Sequence, residues 1–254
     1  MSIFGNHIKV SLFGESHGPY IGITITGLAS GIEIDEEHIK TRLNQRKPQE
    51  KFETPRIEQD DFQIISGHFE EKTTGAPLTV LLTNTQKNSN DYQHLQHKMR
   101  PSHSDLGAYL RYGHYDYRGG GHFSARLTAA LVILGAICEQ VLQKYNVKVL
   151  SHIHKILDLK DDSLNPLFYE ANYQSLLTSS FAVINPEVKQ EMLEKIKEIK
   201  AANDSIGGQI ESVIYNVPKG IGSPYFNSLE SIISHLLFSI GGLKGISFGS
   251  GFEG

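Results

Sequence analysis

The sequence predicts a mixed α and β domain. Three observations point there. Apolar and polar residues alternate at 21–26, Ile-Gly-Ile-Thr-Ile-Thr, as in a half-buried strand. Apolar residues recur every three or four positions after Ser124, as on a helix. No run of Pro, Ser or charge divides the chain, so residues 1–254 read as a single domain.

In chain order, Asp35 stands where it caps a helix carrying Ile39 and Leu43 on one side and Arg42 and Arg46 on the other. Residues 78–82, Leu-Thr-Val-Leu-Leu, form a second strand. The polar stretch 83–98, rich in Asn, Gln and His, is too long for a simple turn and reads as a functional or lid-like loop. The longest helix begins near Ser124 and is expected to bury one stripe of Leu127, Leu131, Leu134, Cys138 and Val141. A strand follows at 147–152. Asn185-Pro-Glu opens a helix with a cap and a first-turn proline, its apolar face being Val188, Met192, Ile196 and Ile199. Residues 209–217 read as a strand and 227–240 as a helix. There is a faint internal echo: strand, Leu28-Ala-Ser-Gly31, helix, against strand, Val217-Pro-Lys-Gly220, helix.

Of 254 residues, 39% are hydrophobic and 20% charged, which suits a soluble globular protein. The formal charge of -4 argues against a general nucleic-acid partner but leaves room for a local basic pocket. The single cysteine, Cys138, rules out an intramolecular disulfide and fits a reducing compartment. The first residues carry no secretory pattern, and no apolar run approaches the roughly 20 residues of a membrane span. A cytoplasmic protein with no membrane partner is expected.

Three segments carry chemistry. Gly14-Glu-Ser-His-Gly18 sets His17 and Ser16 between glycines, where backbone can approach a ligand closely. In Arg100-Pro-Ser-His-Ser-Asp105, His103 lies between hydroxyls and could act as an acid near neutral pH, while Ser104 or Asp105 could cap the next helix. Gly119-Gly-Gly-His-Phe-Ser-Ala-Arg126 leads three glycines into a helix start, a pattern suited to a phosphate or cofactor. Arg42, Arg46, Lys47 and Lys51 cluster at the end of the first helix, either as helix-end cations or as a site for a multiply charged anion. Gly249-Ser-Gly-Phe-Glu-Gly254 matches a dinucleotide fingerprint after a plausible strand at 245–248, but no helix follows in this sequence. His94, His97, His103, His114 and His122 have neither the HExxH spacing nor cysteine partners, so no metal site is expected of them.

These segments resemble, in order and spacing, those of the chorismate synthases. The matches are Phe13-Gly-Glu-Ser-His-Gly18, Arg46-Lys-Pro48, Ser66-Gly67 with Lys72-Thr-Thr-Gly75, Arg100 to Asp105, Asp116-Tyr-Arg-Gly-Gly-Gly121 and Asp204-Ser-Ile-Gly207. The resemblance implies an α+β fold, a β-α-β sandwich with helices between antiparallel sheets, and a homotetramer. It implies a lyase that converts 5-enolpyruvylshikimate 3-phosphate to chorismate and phosphate. That step is an anti-1,4-elimination ending the shikimate pathway. It needs reduced FMN (FMNH2), with NADPH only as a possible reductant. By motif, His17 is similar to the acid assisting phosphate departure, and His103 to the histidine that protonates or stabilises reduced flavin. Ser16 and Ser124 match proton-relay serines. Arg46, Lys51 and Arg126 match substrate-binding positions; His122, Phe123, Ser124, Gly241 and Gly242 fall at flavin-binding ones.

The chain departs from the pattern in three places. His122-Phe123 stands where the family has Arg-Ser, and Ser102 where glycine is usual. Family chains also continue past Gly-Phe-Glu-Gly into a segment with an Arg-x-Asp motif. The resemblance therefore implies a chain incomplete at its C-terminus. An alternative role follows: an anion- or flavin-binding fragment acting only in subunit assembly.

Overall fold

A computed structural model describes residues 2–48, 58–85, 92, 94–96, 98–165 and 170–251. Lys51, His97 and part of the 83–98 stretch lie outside the described residues. Residue contacts divide the chain into two compact units, Met1–Tyr215 and Asn216–Gly254.

The first unit is built on an antiparallel sheet. Its strands β1 (Ile3–Phe4), β2 (Lys9–Gly14), β3 (Tyr20–Thr26), β4 (Phe62–Ser66) and β7 (Leu78–Thr83) run in the order β1-β2-β3-β7-β4. A two-stranded ribbon, β5 (His68–Phe69) with β6 (Lys72–Thr73), stands apart from it. The alternation read at 21–26 is the pleat itself. Ile21, Ile23 and Ile25 on β3 pair with Leu82, Val80 and Leu78 on β7, and all six side chains are buried. On the opposite face Thr24 and Thr79 hydrogen-bond at 3.1 Å.

Two helices cover the apolar face, α1 (Glu36–Arg46) and α3 (Thr128–Gln143), each contributing to one core with the sheet. Asp35 caps α1 as expected, accepting from the N–H groups of Glu37 and His38. The stripe on α3 is not the one read from sequence. Leu127, just before the helix, is buried as read, but within α3 the buried residues are Ala129, Ala130, Ile133, Ala136 and Ile137, whereas Leu131, Leu134 and Val141 lie partly buried and Cys138 is exposed. Alanines allow the helix backbone to sit close to α1 and the sheet, so small residues take the central rows. One helical stretch, Arg118–Gln143, is long and apolar enough by length and composition to cross a membrane. Its α3 part is the helix of this core.

A second antiparallel sheet has the order β10-β8-β9, from β8 (Lys148–Ile156), β9 (Leu159–Lys160) and β10 (Gly208–Tyr215). Helices α4 (Glu170–Thr178) and α5 (Pro186–Ala201) accompany it. α3 touches both β3 and β8, which places a helix between antiparallel sheets in an α+β arrangement. Asn185 caps α5 through the N–H groups of Glu187 and Val188, with Pro186 in the first turn and Met192 wholly buried.

The second unit contains α6 (Leu229–Leu237), capped by Ser228. Residues 243–248 form no strand, so the terminal glycine motif lacks the strand a dinucleotide fingerprint requires. Gly31 and Gly220, each between a strand and a helix, have φ of +79° and +85°.

Candidate functional site

The site is assembled at the turn between β2 and β3. β2 ends at Gly14, whose φ is +99° and where an added Cβ would lie 2.5 Å from the Tyr20 carbonyl oxygen. The chain then loops through Ser16 and His17, which are 0% and 5% exposed. Asn84, just past β7, clamps this loop: its amide donates to the carbonyls of Glu15 (3.1 Å) and Gly18 (3.0 Å). Its backbone N–H meets the Pro19 carbonyl at 3.1 Å.

From the other side comes the glycine turn, Gly119 to Gly121, with φ values of +56°, +84° and +54°. All three lie in the left-handed region that favours glycine. Ser16 N–H donates to the Gly121 carbonyl at 3.0 Å, tying the two segments together. A Cβ at Gly119 would sit 2.5 Å from Cδ2 and 2.6 Å from Nε2 of His17. The His17 ring therefore rests directly on backbone. Its edge meets Tyr92, with ring centroids 4.9 Å apart.

Behind the clamp lies a cluster of charge. Arg126, 5% exposed, donates from Nε to Asn84 Oδ1 at 2.9 Å, from Nη2 to the Thr83 carbonyl at 3.3 Å and from Nη1 to Asp60 Oδ1. Arg46 approaches the other Asp60 oxygen at 3.8 Å and donates to Thr128 Oγ1 and the Ala125 carbonyl. Oδ2 of Asp60 is buried with no hydrogen bond. Two guanidiniums share one carboxylate, so the trio carries a net positive charge next to the His17 loop. Arg42, by contrast, is a structural residue. It grips Glu139 of α3, donating from Nε to Oε2 at 2.8 Å, and His38 meets the same oxygen at 2.9 Å. Lys47 bonds Asn44 at 2.8 Å.

The Arg100 to Asp105 segment adjoins the site through Tyr92, whose ring lies 5.9 Å from the Arg100 guanidinium. Arg100 binds Asp105 side-on, at 2.8 and 3.0 Å, and holds its carboxyl below the usual range. The expected cap on α2 (Asp105–Tyr112) is absent. Ser104 makes no capping bond, and the Asp105 carboxylate is taken by Arg100. His103 is exposed, one residue after Ser102 at φ +61°. A serine here occupies the left-handed backbone that a glycine adopts without strain.

His122 is held at both ring nitrogens, Nδ1 against the Gly14 carbonyl at 2.9 Å and Nε2 against Ser2 Oγ. In this arrangement it pins the glycine turn to β2. Phe123 is 47% exposed, its ring 6.4 Å from Tyr112. Ser124 accepts from the Arg126 N–H and caps the turn leading into α3. Gly241 and Gly242 belong to the second unit; Gly242 has φ of +92°.

Sequence reasoning passed over Asp60, Asn84, Tyr92 and Asp116. Asp116 pairs with Arg118 at 2.8 Å, and its carbonyl sits where a Cβ on Gly121 would go. Burial alone would raise the Asp116 carboxyl, but the Arg118 side chain and N–H, with His17 adding, hold it below the ordinary range. Asp116 was at least visible inside its motif. Asp60 and Asn84 carry no local signal, because their partner Arg126 lies 66 and 42 residues away.

A chorismate synthase family profile matches residues 8–254. The chorismate synthase of Christiangramia forsetii is 40% identical over 253 residues, covering 99% of this chain and 70% of the relative. That of Cytophaga hutchinsonii is 38% identical over 252 residues, covering 99% and 69%. That of Methanococcus vannielii is 40% identical over 263 residues, covering 100% and 70%. A crystal structure of chorismate synthase superposes with a TM-score of 0.77 at 28% identity, over 98% of this chain and 70% of that one.

Proposed function

The chain belongs to the chorismate synthase family, lyases of the shikimate pathway, and on that premise we propose that the His17 site converts 5-enolpyruvylshikimate 3-phosphate to chorismate and phosphate. The reaction is an anti-1,4-elimination. The C3–O bond breaks and phosphate leaves with its electron pair, while the C6 hydrogen is released as a proton, in the end to water, and the C6–H pair forms the new ring double bond without net oxidation.

The observation that carries this reading is the seat of His17. A nearly buried imidazole lies on the backbone of Gly119, beside Ser16, where excluded water makes a proton donor effective. His17 donates a proton to the departing phosphate oxygen. Arg46 and Arg126, sharing Asp60, offset the negative charge that gathers there. Ser16 and Ser124 are the hydroxyls available to pass protons, the latter oriented by its cap bond to Arg126 N–H.

The residues fit a flavin. Phe123 and Tyr112 present exposed aromatic rings close to a glycine turn, and His103 is an exposed cation-forming side chain on the neighbouring segment. Reduced FMN bound here would supply an electron-rich ring beside the breaking C3–O bond, with no net change in its own oxidation state over the turnover. His103 would hold the charge of the reduced cofactor, Phe123 would line its ring, and His122 would act by fixing the glycine turn. NADPH enters only as a source of electrons for the flavin. We also take the protein as cytoplasmic, in line with its family, and as one domain, because a single family profile runs through both units. A homotetramer is supported by the exposed apolar face of β10, where Ile210 and Ile214 are 66% and 42% exposed.

Anaerobic incubation of the protein with substrate and reduced FMN tests this reading. Chorismate and phosphate should appear in equal amounts, and neither with oxidised FMN alone. Phosphate without chorismate, or no turnover from folded protein that binds substrate, would remove it.

A further inference from the structure

Away from this site, three metal-binding side chains converge on the small sheet. His152 of β8 and Glu211 of β10 are direct cross-strand partners. Between Ile210 and Gln209 the β10 partners step from Ile153 to Lys155, so His154 is the extra residue of a bulge. His152 and His154, two residues apart on the strand, share one face of the sheet. One ligand atom from each of His152, His154 and Glu211 lies within 4.8 Å of the other two.

The surroundings suit a cation. His152 is wholly enclosed, and its Nδ1 faces Asp161 Oδ2 at 2.9 Å. Asp161 is fixed in turn by the N–H groups of Ile184 (2.7 Å) and Asn185 (2.9 Å). This is the carboxylate–histidine arrangement that orients a metal ligand and leaves Nε2 as the donor atom. Nε2 faces Glu211 Oε2 at 2.8 Å. With Nδ1 turned to Asp161, the Nε2 edge of the ring faces that oxygen, the position from which it would bind a cation. Nδ1 of His154 is buried with no hydrogen-bond partner, 4.0 Å from the same oxygen. Leu164 N–H also holds Glu211 in place, at 2.7 Å. Apolar clusters around Leu150 and Ile156 lie on the same small sheet, while Glu211 remains 29% exposed and leaves a way in.

We propose that His152, His154 and Glu211 bind a divalent transition metal of the zinc type, with Asp161 positioning His152, as a staple between β8 and β10. Two imidazoles and one carboxylate suit zinc and leave its fourth position for water. Bonds of about 2.0–2.1 Å place tetrahedral ligands roughly 3.3 Å apart. Side-chain rotations that widen the 2.8 Å contact and close the 4.0 Å one meet that requirement.

Calorimetric titration of the chelator-treated full chain with zinc chloride tests the proposal, with magnesium chloride as control. One zinc should bind per chain, the thermal midpoint should rise with zinc concentration, and magnesium should do neither. Cobalt(II) in place of zinc should give the visible bands of a tetrahedral site. His154→Ala removes a ring whose Nδ1 has no partner, and Glu211→Gln keeps the side chain's size, so both should fold, as circular dichroism would verify. Each should weaken zinc binding by at least the roughly 10–100-fold typical of losing even an outer partner. Absence of stoichiometric zinc binding, equal response to magnesium, or unchanged affinity in both folded variants would overturn the proposal.

Discussion

Replacing Gly119 by alanine perturbs the seat of His17 directly, and Gly120→Ala supplies the control. Both glycines have left-handed backbone, φ +56° and +84°, so each alanine should cost about 1–2 kcal/mol from that source alone. In a chain of this size that lowers the melting temperature by about 2–4 °C per kcal/mol. The two positions differ in what the new methyl meets. At Gly120 the nearest atom is Ser124 Cβ at 3.8 Å, an ordinary contact. At Gly119 it is His17 Cδ2 at 2.5 Å, about 1 Å inside the roughly 3.5 Å of comfortable carbon contact. The ring must move by that amount, and a 1 Å misplacement of a catalytic group costs on the order of 100-fold in rate. Urea unfolding should find both variants folded, with Gly119→Ala losing the same backbone cost plus that of the overlap, about 1–3 kcal/mol more. Initial rates of chorismate formation should find only Gly119→Ala severely slowed. Equal turnover in the two variants would refute the argument that His17 is positioned by this contact.

Two further outcomes follow from the charge pairs. Arg126→Ala leaves Asp60 buried without its main partner and should cost about 3–5 kcal/mol in urea unfolding, with part of the loss recovered by adding Asp60→Asn. Arg42→Ala removes the guanidinium from Glu139. There burial opposes ionisation, but the Arg42 and His38 contacts hold the folded carboxyl below its ordinary range. A depressed folded value means the contribution is complete above the unfolded glutamate value of about 4.3 and fades as pH falls through the lower folded one. Arg42→Ala should thus lose about 1.5–3 kcal/mol at neutral pH and converge on the parent protein in strong acid, as acid titrations of stability would check.

Local chemistry was legible in the sequence; long-range partnership was not. Asp35 and Asn185 announced α1 and α5 because a cap acts within three residues. The 21–26 alternation placed β3 because a pleat has a period of two. On α3, counting large apolar residues chose the wrong face, since close helix packing favoured Ala129, Ala130 and Ala136. The strand at 147–152 runs on to Ile156 through the His154 bulge, and β10 alone sets where that bulge falls. The three glycines at 119–121 read as a loop for a phosphate or cofactor; that they also seat His17 was not legible, because His17 lies about a hundred residues earlier in the chain. The Asn84 clamp and Asp60 between two arginines escaped notice because nothing near them in sequence hints at Arg126.

The proposed role of His17 is to supply the proton to the leaving phosphate. Its most direct test is the rate of chorismate formation by His17→Ala across pH, alongside the parent protein, with reduced FMN and saturating substrate. Turnover should fall by about 10²–10⁴-fold in folded protein, with loss of the alkaline fall in rate that a required acid imposes. A variant that keeps near-parental turnover, or that keeps the same alkaline fall, would contradict it.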